Sequence, residues 1–152
     1  MTDQRLAKLA DEFEIRNLVA RIAYLADFGE DLVEYLTLWT EDGVYDVREP
    51  VGAKPDAQKI ARKVAGRAAL EENRKMLRST GFQGPGTDLW HLNTTLSVKV
   101  GDDDTAEADS YWVLAVGRGD PKIHLLGHYH DTFRRTDDGW KLAYRLVTPC
   151  QR

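Results

Sequence analysis

Apolar residues in the first third of the chain recur at three- and four-residue spacing. From Trp90 onward they form long runs rich in Val, Leu, Thr, Tyr and Trp. Ile15, Leu18, Val19, Ile22 and Ala26 make one stripe of an amphipathic helix. Asp11-Glu12-Phe13-Glu14 has the spacing of a capping box, which predicts a helix starting near Asp11, and Gly29 can end it. Asp31-Leu32-Val33-Glu34 repeats that spacing ahead of a second stripe of Leu32, Tyr35, Leu36 and Trp39. Thr40-Glu41-Asp42-Gly43 reads as a stop and turn, and Val44-Tyr45-Asp46-Val47 as a short strand. Residues 48–57, with Pro50, Gly52 and Pro55, read as a loop. A third helix over Arg67–Arg78 carries Leu70, Arg74 and Leu77 on one side, and Gly81–Gly86 is a mobile stretch suited to a lid or rim.

The remainder predicts four strands, Trp90–Val100, Thr105–Val116, Lys122–Arg135 and Trp140–Thr148. Gly101–Asp104, Gly117–Pro121 and Asp137-Asp138-Gly139 supply the turns between them. Short connections imply an antiparallel meander. Helices first and a sheet after give an α+β fold, an antiparallel sheet with one face covered by the N-terminal helices; if the sheet curls, the space between can become a pocket.

Length and composition narrow the function classes. The 152 residues suit one domain, 1–152, and 42% hydrophobic residues are enough for a core. No apolar run approaches the ~20 residues of a membrane span. Twenty-one Lys+Arg against 25 Asp+Glu, net charge −4, argue against a nucleic-acid partner. The one cysteine, Cys150, has no intramolecular partner, and no secretory signal precedes the first helix, so a cytoplasmic protein is expected. The chain lacks a Gly-x-Ser-x-Gly elbow, a phosphate-cradling loop and a dinucleotide fingerprint, so no cofactor is expected.

Histidine and aspartate carry the candidate chemistry. His91 opens a strand between apolar neighbours, where a ring titrating near pH ~6.5 suits general acid–base work. Asp27 ends the first helix at the flank of its apolar stripe, so it can look into the space between helix and sheet. A carboxylate at a helix C-terminus is opposed by the macrodipole, and Glu30 and Asp31 add repulsion. Asp27 therefore calls for a cationic partner or a raised pKa. Spacing alone does not join Asp27 to His91. His124, His128 and His130 share one face of their strand, opposite Leu125, Gly127, Tyr129, Asp131 and Phe133. The first face lacks further ligands for a metal and suits packing against a second copy of the chain, as a dimer or trimer. Ser110 and Trp112, at one parity, would line a cavity wall with Leu125 and Tyr129. Tyr24 or Asn93 would donate to a developing oxyanion.

The ordered set Ile15–Asp27, Leu38–Tyr45, Trp90-His91-Leu92-Asn93, Gly127–Asp131 and Asp138–Leu142 resembles the SnoaL-like branch of the nuclear transport factor 2-like superfamily. The likeness runs from about residue 10 to residue 148. Within that superfamily it is nearest to scytalone dehydratase and the lindane dehydrochlorinase group. The resemblance implies a cone with an apolar cavity, no cofactor, and Asp27 with His91 as a catalytic dyad. It also implies Tyr129 as a cavity aromatic and Arg145 as an aid to a departing anion. The expected function is a cofactor-independent, dehydratase-type lyase acting on a small, apolar, cyclic or polyketide-like substrate. Isomerisation or polyketide cyclisation at the same residues, or non-catalytic small-molecule binding, are the alternatives.

Overall fold

The structure, a computed structural model, describes residues 3–48 and 62–150. Helix α1 (Asp3–Phe28) buries the predicted stripe of Ile15, Leu18, Val19, Ile22 and Ala26, together with Leu25 and Asp27. It begins well before the predicted start, because Gln4–Ala10 are good helix formers that extend it upstream. Asp11 and Glu14 therefore do not cap anything. Asp11 accepts the indole N–H of Trp140 at 3.1 Å and pairs with Arg135 at 2.6 Å, while Glu14 accepts the Trp140 backbone N–H at 2.9 Å. Arg135 beside it holds the Asp11 carboxyl below the usual range. These two acids tie the middle of α1 to the last hairpin of the sheet. α1 ends where Gly29 N–H closes on the Leu25 carbonyl.

Helix α2 (Val33–Thr37) is a short turn that buries Tyr35, and the Asp31 side chain accepts the Val33 N–H at 2.9 Å. Strand β1 (Trp39–Val47) passes through the segment expected to turn. Thr40–Gly43 stay in the strand because the pairing register shifts between Trp39 and Val44, which absorbs the irregularity. Of the predicted loop, residues 49–57 lie outside the described residues. Strand β2 (Arg62–Ala65) precedes helix α3 (Arg67–Ser79), which buries Leu70, Arg74 and Leu77 as its spacing predicts. The meander follows: β3 (Leu89–Val100), β4 (Thr105–Val116), β5 (Lys122–Thr136) and β6 (Gly139–Cys150).

The strands form one curled, unclosed sheet in the order β2-β1-β6-β5-β4-β3. All pairs are antiparallel except β1–β6, which run parallel. That parallel pairing, and β2 beyond it, have no counterpart in the local sequence signals. α1 lies across the concave face against β3 and β6. The core there includes Ile15, Ile22, Tyr35, Trp39, Leu114, Phe133 and Leu142. On β3 the inward parity changes from Leu89, His91 and Asn93 to Leu96, Val98 and Val100. The cause is an irregularity between Thr94 and Ser97, where Thr95 takes φ 54°. Without that slip a strand keeping its first half inward would turn its second half to solvent.

Gly127 marks the tightest packing on the concave face. A Cβ there would collide with the Thr148 carbonyl oxygen and lie 2.6 Å from the Trp112 ring. The absent side chain lets Trp112 lie flat over β5, stacked on Tyr129 with centroids 5.6 Å apart. Gly127→Ala is expected to cost about 1–3 kcal/mol, the usual range for overpacking. Urea denaturation followed by tryptophan fluorescence reads that loss; an unchanged midpoint would mean the strands are free to part.

No helix among the described residues is long and apolar enough to cross a membrane.

Candidate active site

The end of α1 crosses the start of β3, and this brings two residues 64 positions apart into direct contact. His91 Nδ1 lies 2.6 Å from Asp27 Oδ1, and the His91 backbone N–H donates to Asp27 Oδ2, also at 2.6 Å. Both carboxylate oxygens are thus spent on one residue, which fixes the ring in position and in direction. Since a carboxylate accepts, Nδ1 carries the proton and Nε2 of the neutral ring keeps its lone pair. Asp27 is buried at 4% exposure, and the His91 side chain at 10%. The macrodipole objection to Asp27 is met from outside the helix: Arg78 of α3 donates to the carbonyls of Gly29 at 2.8 Å and of Leu25 and Glu30 at 3.3 Å.

His91 looks into two adjoining compartments. One is polar and tight, about 10 Å³, no more than room for a water, and is lined by Arg74, Gln83, Asn93, Tyr129 and Arg145. The other is largely apolar, about 70 Å³, lined by Val47, Phe82, Trp112, Leu114, Leu125 and Val147 among others. Tyr45, Gln83, His91 and Tyr129 border both. The cone therefore holds much less space than the few hundred Å³ of a usual ligand pocket. Phe82 and Gln83, from the Gly81–Gly86 turn, fold inward and fill it. Gln83 is 4% exposed, so this segment plugs the chamber rather than rimming it. Gly84 permits that path with φ +104°, where a side chain would also strike Arg78.

The other expected residues separate into three groups. Trp112, Leu125, Tyr129, Asn93 and Arg145 line these compartments. Both polar atoms of the Asn93 amide, and the Trp112 indole nitrogen, are buried with no hydrogen-bond partner among the described residues. Ser110 is buried on the same concave face but borders neither compartment. Tyr24 does not reach them. It is 55% exposed, its ring under Arg21, in an open groove on the outer side of α1, because its helical phase turns it away from the sheet.

Arg145 has a partner, but an interior one. Its guanidinium makes a bidentate pair with Asp131 at 2.8 and 2.6 Å, both residues being 2% exposed or less, and stacks 4.2 Å from the Tyr129 ring centroid. Burial opposes the Arg145 charge, yet Asp131 outweighs it and holds the guanidinium above its ordinary value. Burial pushes the Tyr129 hydroxyl up, so Tyr129 stays protonated.

Arg74, Gln83 and Tyr45 also line the compartments and were not expected there. Arg74, 4% exposed, donates from Nε to Tyr35 Oη at 2.7 Å and from Nη1 to Gln83 Oε1. The rings of Tyr35 and Tyr45 lie 4.9 and 5.1 Å from its guanidinium carbon, and no carboxylate among the described residues pairs with it. Gln83 Nε2 in turn approaches His91 Nε2 at 3.5 Å. An arginine inside the Leu70–Leu77 stripe was the available signal; Gln83 and Tyr45 gave none.

On the convex face, His128 and His130 share Asp109 Oδ1 at 3.2 and 2.9 Å, and His124 is exposed. Among the described residues no group of three or more His, Cys, Asp or Glu side chains is placed to hold a metal ion.

Comparison with known proteins agrees with this architecture. No curated protein matches the chain in sequence. An NTF2-like protein with a cystatin-like fold from Novosphingobium aromaticivorans is 31% identical, with 96% of this chain and 86% of that one aligned and a TM-score of 0.73. A protein of the same organism described provisionally as a scytalone dehydratase aligns at 21% identity over 99% and 89% of the two chains, TM-score 0.69. The β subunit of a provisionally described aromatic-ring-hydroxylating dioxygenase, again from that organism, aligns at 21% over 97% and 93%, TM-score 0.70. The last two share the fold. The model of the SnoaL-like domain matches residues 7–146, and the chain belongs to that family, within the NTF2-like superfamily.

Proposed function

We propose that the protein is a cofactor-independent lyase that removes water from a small, cyclic, mostly apolar hydroxy-carbonyl compound, with His91 as general base and Asp27 as its orienting partner. The observation that carries this reading is the doubly anchored Asp27–His91 contact, which leaves Nε2 directed at Gln83 and the compartments that it borders. His91 Nε2 takes a proton from the carbon next to the carbonyl. The C–H electron pair moves into an enolate, and Asp27 supports the imidazolium that forms. The enolate then expels the hydroxyl from the neighbouring carbon. The imidazolium returns its proton to that oxygen, so water and an unsaturated carbonyl leave. The Asn93 amide and the Trp112 N–H, without a partner among the described residues, are available to a substrate oxygen.

Isomerisation or cyclisation would open with the same proton transfer, so substrate rather than site separates these outcomes. The direct experiment offers the purified protein cyclic β-hydroxy ketones and follows the absorbance of the enone. Turnover that survives a chelator is expected. An absence of both elimination and α-proton exchange across such compounds favours the second reading, a non-catalytic binding module.

Self-association, as a dimer or trimer, is part of the proposal. Trp90, Leu92, Tyr111 and Leu126 project from the convex face of neighbouring strands and are 46, 49, 58 and 38% exposed. A second copy of this chain would cover them.

A further inference from the structure

We infer that the Gln83 carboxamide occupies the subsite of the substrate's reacting group, and that Arg74 is the catalytic cation that receives the enolate oxygen there. The inference rests on the His91 reading above and names what faces that base.

A guanidinium only donates, so the Gln83 oxygen must face Arg74 and its NH₂ must face His91. Read from one end to the other, the amide presents O=C–N–H, with its oxygen on a cation and its hydrogen aimed at the lone pair of a base. An enolisable carbonyl presents O=C–C–H, with the same number of bonds, its reacting C–H tilted out of the carbonyl plane where the amide N–H lies in it. If it replaced the amide, its oxygen would meet Arg74 and its α-hydrogen would meet His91 Nε2. The 3.5 Å separation between the two Nε2 atoms is long for a hydrogen bond, so little is lost when the amide leaves.

The charge balance points the same way. Four charged groups surround the compartment. Arg145 is matched by Asp131, and Asp27 is engaged by His91. Arg74, which lines the polar compartment itself, has no carboxylate among the described residues; two tyrosine rings and neutral acceptors surround it. A buried cation in that state is costly. It interacts far more strongly with an enolate than with the ketone that precedes it, and that difference is what lowers a barrier. Tyr24 is outside the chamber, and Asn93, which lines the same compartment as Arg74, can donate only as a neutral amide. Withdrawal of Gln83 would also merge the polar and apolar compartments that it borders, which makes room for a ring.

The test is solvent deuterium exchange at the α-carbon of cyclopentanone in D₂O, followed by proton NMR. It needs no knowledge of the natural substrate. The wild-type protein is expected to accelerate exchange, and His91→Ala to remove the effect. Arg74→Met should lower exchange by ~10²–10³-fold, the usual loss for one oxyanion donor. Gln83→Ala should exchange at or above the wild-type rate. Because Arg74→Met removes a buried anchor of α3, Gln83→Glu is the second variant. It leaves Arg74 in place but neutralises it, and should also lose at least ~10²-fold. Exchange that depends on His91 but is unchanged in Gln83→Glu and Arg74→Met overturns the role of Arg74 and leaves the dyad standing. A Gln83→Ala protein as slow as Arg74→Met overturns the stand-in. No exchange by either the wild type or Gln83→Ala overturns the dyad as well.

Discussion

His91→Ala is expected to lower turnover of a cyclic β-hydroxy ketone by ~10²–10⁴-fold, the usual contribution of a positioned general base. The ring makes polar contacts through Nδ1 to Asp27 and, on its far side, toward Gln83. Truncation leaves the strand pairing of β3 and the backbone N–H bond to Asp27 in place but unpairs the other oxygen of that buried carboxylate, so stability should fall by about 1–3 kcal/mol while the protein stays folded. Asp27→Asn should lose activity over the same range for a different reason. An asparagine can turn its NH₂ toward Nδ1, which lets the other tautomer form and puts the proton on the nitrogen that must act as base. Stability should hold, because the substitution removes a negative charge from the carboxyl end of α1. Initial rates at saturating substrate, with melting curves as the control, read both effects. Full activity in either folded variant would remove that residue from the chemistry.

Asp131→Ala should have the largest effect on stability. It would strand the Arg145 guanidinium in an interior where both partners are essentially without solvent. Breaking a buried pair from one side costs about 3–5 kcal/mol, and at this chain length that lowers the melting temperature by roughly 10 °C or more. Asp131→Leu combined with Arg145→Met should recover most of the loss, since the cost lies in the uncompensated charge. Urea midpoints of the single and double variants measure it. If the double variant is no more stable than the single one, the pair is contributing packing and direction for Tyr129 rather than charge balance.

The outline of the fold was legible because its elements are locally encoded. The α1 stripe, the α3 stripe and the three turns of the meander each satisfy their own periodicity, and the structure keeps them. What was misread lies where tertiary contacts use local signals for something else. Asp11 and Glu14 look like a cap and instead anchor Trp140. Thr40–Gly43 look like a turn and instead make an irregular stretch of β1. The parallel β1–β6 pairing brings together residues about a hundred positions apart, and no short pattern announces it. The candidate site divides in the same way. His91 and Asp27 were visible as an imidazole and a misplaced carboxylate. Tyr24 failed because its phase on α1 faces solvent. Arg145 lines the polar compartment as the resemblance implied, but no local pattern announced that Asp131, on the inward parity of β5, would pair with it. Gln83 was illegible: a glutamine in a glycine-rich turn carries no sign that the turn folds inward.

The most direct test of the dyad is a nitrogen–proton NMR correlation of the histidine rings, recorded where His91 is neutral, in the wild type and in Asp27→Asn. The account predicts a wild-type His91 protonated on Nδ1 with a bare Nε2, and loss of that fixed tautomer in the variant. A wild-type ring protonated on Nε2 would leave no base facing the chamber and would contradict it.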